Sequence, residues 1–257
     1  MKTTFHTAII VICVAIGARA QGPDVRAGAT GLTNASPLDK MPRDLEVRYA
    51  LSALPPHLRA DATTYVLDPD KGYELNHKGT NGFSCFVERT EQERADFRND
   101  VYAAICLDAE GSEKILPVWM DTAKMRAEGR LSPLEVKQEI ARRYEDGTYR
   151  PPSRAGISYM IAPLMRTYPN TDWRNHDVVT MNMPHYMFYA THVTDNDIGG
   201  GQFNSLNPFV LNAGGQDYII MLVGDAEREK INRESRQLIK DLCGYRSSLC
   251  RPAHLHP

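Results

Sequence analysis

Gly79-Thr80-Asn81-Gly82-Phe83-Ser84-Cys85-Phe86-Val87-Glu88 joins a turn, a strand and a cysteine in ten residues. Asn-Gly is the strongest short signal for a tight turn, because both residues tolerate positive φ. In the strand that follows, alternation sends Phe83, Cys85 and Val87 to one face and Ser84, Phe86 and Glu88 to the other. Cys85 needs a partner, and Cys106 is the nearest candidate, at the end of a second strand over Val101 to Leu107. Residues 90 to 100 between them are charged and read as an exposed loop inside a disulfide ring.

Upstream, Arg43 to Leu54 has a partial apolar face and is stopped by Pro55-Pro56, so it reads as a helix. Thr63 to Leu67 is β-branched and aromatic, a strand. Asp68-Pro69-Asp70-Lys71-Gly72 is a turn, and Tyr73 to Asn76 the return strand. Downstream, Pro117 suits a first helical turn, with Trp119, Met120, Ala123 and Ala127 on one face before Gly129. Ser132-Pro133-Leu134-Glu135 is a capping box with proline at the first helical position. It opens a helix in which Val136, Ile140 and Tyr144 repeat every four residues and Glu139 can pair with Arg143. Ile157 to Ile161 and His185 to Ala190 read as strands, and residues 163 to 183 as a hairpin excursion. Asp195 to Asn207 is a Gly- and Asn-rich loop. Tyr218 to Val223 is apolar on both faces, which places it inside a sheet. Asp225 is expected to cap one last helix, docked by Ile231, Leu238 and Leu242.

The N-terminus carries an address. Lys2, an apolar run from Ala8 to Ile16 and the small-x-small site Ala18-Arg19-Ala20 form a signal peptide over 1–20, cleaved before Gln21. Residues 21–41 read as a disordered leader, with a glycosylation triplet at Asn34-Ala35-Ser36 that matters only in a eukaryote. Removal of Lys2 and Arg19 takes 30 basic residues to 28, against 32 acidic ones. A weakly acidic chain with no basic block is a poor partner for nucleic acid or an anionic membrane. No later stretch approaches transmembrane length. The expected location is secreted or periplasmic.

The mature chain keeps Cys85, Cys106, Cys243 and Cys250. In an oxidising compartment an even set reads as disulfides, and near neighbours close the cheapest loops. This selects Cys85–Cys106 and Cys243–Cys250. Neither pair has the C-x-x-C spacing of a zinc site. With no internal repeat and no composition break, the chain reads as one α+β domain. A mostly antiparallel sheet with packed helices, stapled by disulfides, occupies 42–224, followed by a C-terminal helix and disulfide-closed tail over 225–257.

Several of these features together resemble a family of exported bacterial hypothetical proteins: G-T-N-x-F-x-C at Gly79 to Cys85, Cys106, Arg126-Ala127-Glu128-Gly129, the capped helix from Ser132, Gly156 to Met160, His185-x-Met187-Phe188-Tyr189 and Asp197-Ile198-Gly199. The likeness covers roughly residues 42 to 224. It implies a bacterial, exported, single-domain protein and carries no catalytic residue with it.

Two functions remain. One is a non-catalytic protein without a cofactor, binding a small molecule or an envelope component. The other is a metal-assisted hydrolase. His185, His192, Asp195 and Asp197 cluster in sequence at the exit of a strand, and two imidazoles with a carboxylate can hold zinc and a reactive water. Asp195-x-Asp197-x-Gly199 and Asp68-x-Asp70-x-Gly72 echo calcium loops, but neither continues to a bidentate Glu, so both read as Asx turns. No G-x-S-x-G elbow is present. Gly199-Gly200-Gly201 neither follows a strand nor opens a helix, so it reads as a loop rather than a phosphate cradle.

Overall fold

A computed structural model describes residues 36–169, 175–190, 192–201, 206–213 and 216–250. The signal peptide, most of the leader and the last seven residues lie outside it.

Helix α1 (Arg43–Ser52) puts Leu45, Tyr49 and Ala50 into the core. Strands β1 (Thr63–Asp68) and β2 (Gly72–His77) form the expected hairpin. Its turn is an Asx turn, in which Asp70 N donates to Asp68 Oδ1 at 3.0 Å. β3 (Ser84–Glu88) and β4 (Ala103–Leu107) pair antiparallel, with Cys85 directly opposite Cys106. Three helices follow: α2 (Ala109–Lys114), which the sequence did not suggest, α3 (Leu116–Glu128) and α4 (Pro133–Glu145). The capping box at Ser132 and Glu135 forms, and Arg143 Nε lies 2.7 Å from Glu139. Next come β5 (Ile157–Met160), the excursion of β6 (Met165–Thr167) and β7 (Val179–Met181), and β8 (His185–Ala190). A short α5 (Asp195–Ile198), β9 (Phe209–Ala213), β10 (Gln216–Leu222), α6 (Asp225–Glu234) and α7 (Arg236–Tyr245) complete the described chain.

The main sheet runs β2-β1-β3-β4-β5-β8-β10-β9. Every pairing is antiparallel except β1 with β3. That exception follows from the path of the chain at Asn81-Gly82. The turn forms, with Gly82 at φ 81°, but it makes no hairpin. The loop passes under the start of β1, where Thr80 N and Asn81 N both donate to Asp61 O, so β3 emerges on the far side of β1. A Cβ on Gly79 would stand 2.1 Å from that same carbonyl oxygen, so glycine permits the crossing.

Alternation along β3 and β4 divides the core. Cys85, Val87, Ala104 and Cys106 face α1 and α7, while Phe86, Ile105 and Leu107 face the other side, with Ile115, Leu116 and Trp119. Both strands are buried along their whole length because helices cover both faces. Both disulfides form as read, Cys85–Cys106 and Cys243–Cys250. The α+β fold with a mostly antiparallel sheet stands. No described helix is long and apolar enough to cross a membrane.

Three readings change. The last helix breaks at Ser235 into α6 and α7, and its N-cap is Gly224 rather than Asp225. No side chain of α6 is fully buried, whereas Leu242 of α7 and Leu249 beyond it are both sealed in the core, so the bridge folds the tail inward. The end of the presumed leader also packs: Met41 is buried, and Asp39 Oδ1 accepts from Arg89 Nη2 at 3.1 Å and Arg246 Nη1 at 2.7 Å. Thirdly, the charged loop of residues 90–100 is not on the surface. Thr90, Gln92, Arg94, Asp96 and Phe97 are buried.

Candidate functional site

Between the sheet and helices α3 and α4 lies a cavity of ≈ 170 Å³. Its floor is the sheet face opposite α1: Ile105 from β4, Met160 from β5, Met187 from β8 and Ile220 from β10. Trp119 and Tyr144 wall it from the helices, and Phe209 and Tyr218 from the far end of the sheet. The void follows from the layer. α3 packs on the β2 edge of the sheet, and α3 and α4 pack on each other through Val118, Met125, Val136 and Ile140, a separate small core.

One end of the cavity is polar. Glu88 ends β3 on the cavity face, and Glu91, Gln92, Glu93 and Arg94 of the following loop close over it. Arg126, in the last turn of α3, pins that loop. Its Nη1 donates to Arg89 O at 3.0 Å and Thr90 Oγ1 at 2.7 Å, and its Nη2 to Ser36 O at 2.8 Å, Phe97 O at 2.9 Å and Arg98 O at 2.9 Å. Burial, then the neighbouring Arg89, pulls this guanidinium down to about 10. A loop that reads as solvated is therefore folded inward, because its carbonyls find a planar five-donor cation.

The carboxyls at this end titrate abnormally. Desolvation, with repulsion from Glu93, raises Glu91 to about 8, against an ion pair with Arg94 Nε at 3.5 Å. Desolvation raises Glu93 to about 7 and lifts Glu88 well above the carboxylate range, where Glu91 and Glu93 add to the effect. Gln92 Nε2 donates to Glu93 Oε1 at 2.8 Å, which orients the amide. Gln92 Oε1 and Glu93 Oε2 are shut off from solvent and have no partner among the described residues. Buried acceptors normally have one, and these are two of several buried side-chain atoms here without a partner among the described residues.

These groups set a pH dependence. On the other face, Glu46 is buried with Leu67 N donating to its Oε1 at 2.8 Å, and desolvation raises it to about 7. Each of these glutamates keeps a proton in the folded chain that the unfolded chain releases near 4.5. Their contribution is complete at low pH and is lost as pH rises through 7 to 8. Buried His185 is lowered by desolvation and acts in the opposite sense, but only below about 6.5. Between pH 6.5 and 8.5, stability is expected to fall by about 1–3 kcal/mol. Urea titrations at the two pH values measure it, and Glu46→Gln with Glu91→Gln should flatten the slope. A protein as stable at pH 8.5 as at 6.5 contradicts the assignment.

The metal reading does not assemble as expected. His185, Met187 and Tyr189 do share a face, as alternation required, and His185 lines the cavity. It sits at the start of β8, opposite Leu222, whereas Ala190 at the other end faces Asp217. His192 lies beyond that far end, so a strand length of about 16 Å separates the two histidines. The sequence cluster is one of proximity along the chain, which an extended strand undoes. His192 N donates to Asp217 Oδ2 at 3.0 Å, Asp195 Oδ1 accepts from Val210 N at 2.7 Å, and Asp197 closes a capping box with Thr194. Among the described residues no group of three or more His, Cys, Asp or Glu is placed to hold a metal ion.

Sequence reasoning found His185 but missed Glu88, Glu91, Gln92, Glu93 and Arg94. A dense run of charge carries no mark of burial, and the pin that buries it comes from Arg126, far along the chain. The chain matches no family model, no curated protein and no solved structure.

Proposed function

We propose that this chain is an exported, non-catalytic binding protein, similar in kind to the exported bacterial proteins it resembles, and that it holds a small molecule in the cavity between the sheet and α3 and α4. The observation that carries this is the pairing of an apolar cavity of ≈ 170 Å³ with two solvent-excluded oxygens at one end that have no partner among the described residues. Ligand sites are apolar concavities with a few convergent polar groups that fix orientation. Two disulfides fit an oxidising compartment, which supports export. Zinc and other cofactors are not needed for this role.

A neutral probe tests the cavity by itself. Calorimetry with 2-phenylethanol is expected to give one site per chain. Ile105→Phe and, separately, Met187→Phe place a ring in the void and should weaken binding by about tenfold or more. The added volume enters empty space, so both variants should melt near the parent temperature. No binding by the parent, or unchanged binding by both folded variants, overturns the proposal.

A further inference from the structure

We infer that the polar end of the cavity takes a cation: the ligand is a primary amine on a body of one ring or a short alkyl chain. This rests on the cavity-binding reading above and adds the chemical class. The body follows from volume. A dry cavity of roughly 150 Å³ takes a benzene, and this one is ≈ 170 Å³.

The headgroup follows from what waits for it. Gln92 is 6 % exposed, and no donor among the described residues reaches its Oε1. With Glu93 ionised, Nε2 donates to Glu93 Oε1, so the group left over is an acceptor. Glu93 Oε2 is a second buried atom without a partner among the described residues, and it is an acceptor once that carboxyl ionises, near 7. His185 is a third acceptor in the lining. Its Nδ1 lies 2.7 Å from Met183 O, a carbonyl that can only accept, so Nδ1 carries the proton and Nε2 has a lone pair. An incoming group must therefore bring hydrogen-bond donors, and more than one.

Charge decides between a neutral donor and a cation. Glu88 from β3 and Glu91 and Glu93 from the loop converge on this end. The countercharges are already engaged. Arg94 lies 4.1 Å over the Tyr168 ring, 3.5 Å from Glu91 and 2.6 Å from Asn175 O. Lys137 Nζ, on α4, donates to the backbone carbonyl of Glu93 at 2.6 Å. At pH 7.5 Glu93, raised to about 7, is mostly ionised, and an anion would lie against that charge. An ammonium supplies three donors and one positive charge, and it lets carboxyls ionise that burial otherwise holds protonated. The aromatic walls, Trp119, Tyr144 and Tyr218, suit the same charge, since ring faces attract cations.

Three near-isosteric probes on the mature chain separate the possibilities: 2-phenylethylamine, 2-phenylethanol and 3-phenylpropanoate, titrated by calorimetry at pH 7.5. The amine is expected to bind about tenfold or more tighter than the alcohol, and the carboxylate weakest. In Gln92→Leu/Glu93→Gln the amine and alcohol should fall within about threefold of each other while the alcohol keeps its affinity. Glu93→Gln alone, an isosteric change, should give part of that loss and guards against a double variant that does not fold. Equal affinity for amine and alcohol in the parent, a carboxylate that binds tightest, or a preference that survives in both variants overturns the cation assignment and leaves the cavity reading intact. Failure of all three probes overturns both.

Discussion

Arg126→Ala is expected to lower stability by about 3–5 kcal/mol, among the largest effects of any single substitution in this chain. The guanidinium donates to four backbone carbonyls and the Thr90 hydroxyl, and three of those carbonyls belong to the loop between β3 and β4. Alanine leaves these acceptors facing a void, and each buried acceptor without a donor costs about 1–3 kcal/mol. It also removes the cation 5.0 Å from the Phe97 ring. Water will enter and recover part of the loss, which is why the sum is not larger. Arg126→Lys tests geometry apart from charge. An ammonium is a point donor and cannot serve two branches at once, so lysine should recover less than half of the deficit. Urea denaturation measures both. The loss should be accompanied by faster proteolysis between Glu91 and Arg98 and by loss of 2-phenylethanol binding, because the same loop closes the cavity. A deficit below about 1 kcal/mol would mean that the loop holds its place without the pin.

That loop marks the boundary of what was legible. Local signals were read correctly where local chemistry decides: the Ser132 capping box, the β1–β2 turn, the alternation along β3 and β8, and both cystine pairs are set by residues close together in the chain. Long-range geometry was not. Asn81-Gly82 announced a turn but could not say that β3 would cross beneath β1. Glu88 to Arg94 is indistinguishable from a solvated run until Arg126, 32 or more residues later in the chain, is placed beside it. His185 and His192 looked like partners because they are neighbours in sequence, whereas the strand joining them keeps them apart. The candidate site was thus visible in one residue, His185, and hidden in the five that give the cavity its polar end. Those five are charged or polar side chains that distant contacts bury (Glu88, Gln92, Arg94) or half-bury (Glu91, Glu93), a condition that hydropathy reads as exposure.

Cys85→Ser is expected to cost about 2–5 kcal/mol, the range for a native bridge in an exported domain. Both sulfurs are wholly buried against α1, and the bond joins directly opposed residues of β3 and β4. The ladder already sets the register of these strands, so the folded geometry should survive the loss of the bond. The larger effect lies in the unfolded chain, where a ring of 21 residues restricts the ensemble by roughly 3 kcal/mol on the chain-entropy account. Serine adds a second cost, a hydroxyl in an apolar site, and Cys106 is left as a lone thiol. Cys85→Ala/Cys106→Ala removes the polar part and isolates the cross-link. Cys243→Ser opens a ring of only 7 residues, worth roughly 2 kcal/mol on the same account, with the further consequence that Leu249 loses its anchor in the core. Cys85→Ser should therefore be the more damaging of the two single substitutions. Guanidinium denaturation of the oxidised variants ranks them, and thiol titration of the unfolded, unreduced parent checks the premise. No free thiols are expected in the mature chain. Four would remove the bridges and the ranking with them, and a Cys243→Ser variant less stable than Cys85→Ser would place the greater constraint in the C-terminal clasp. In that case the packing of Leu249 and Leu242 against α1, rather than ring size, would govern how tightly the chain holds together.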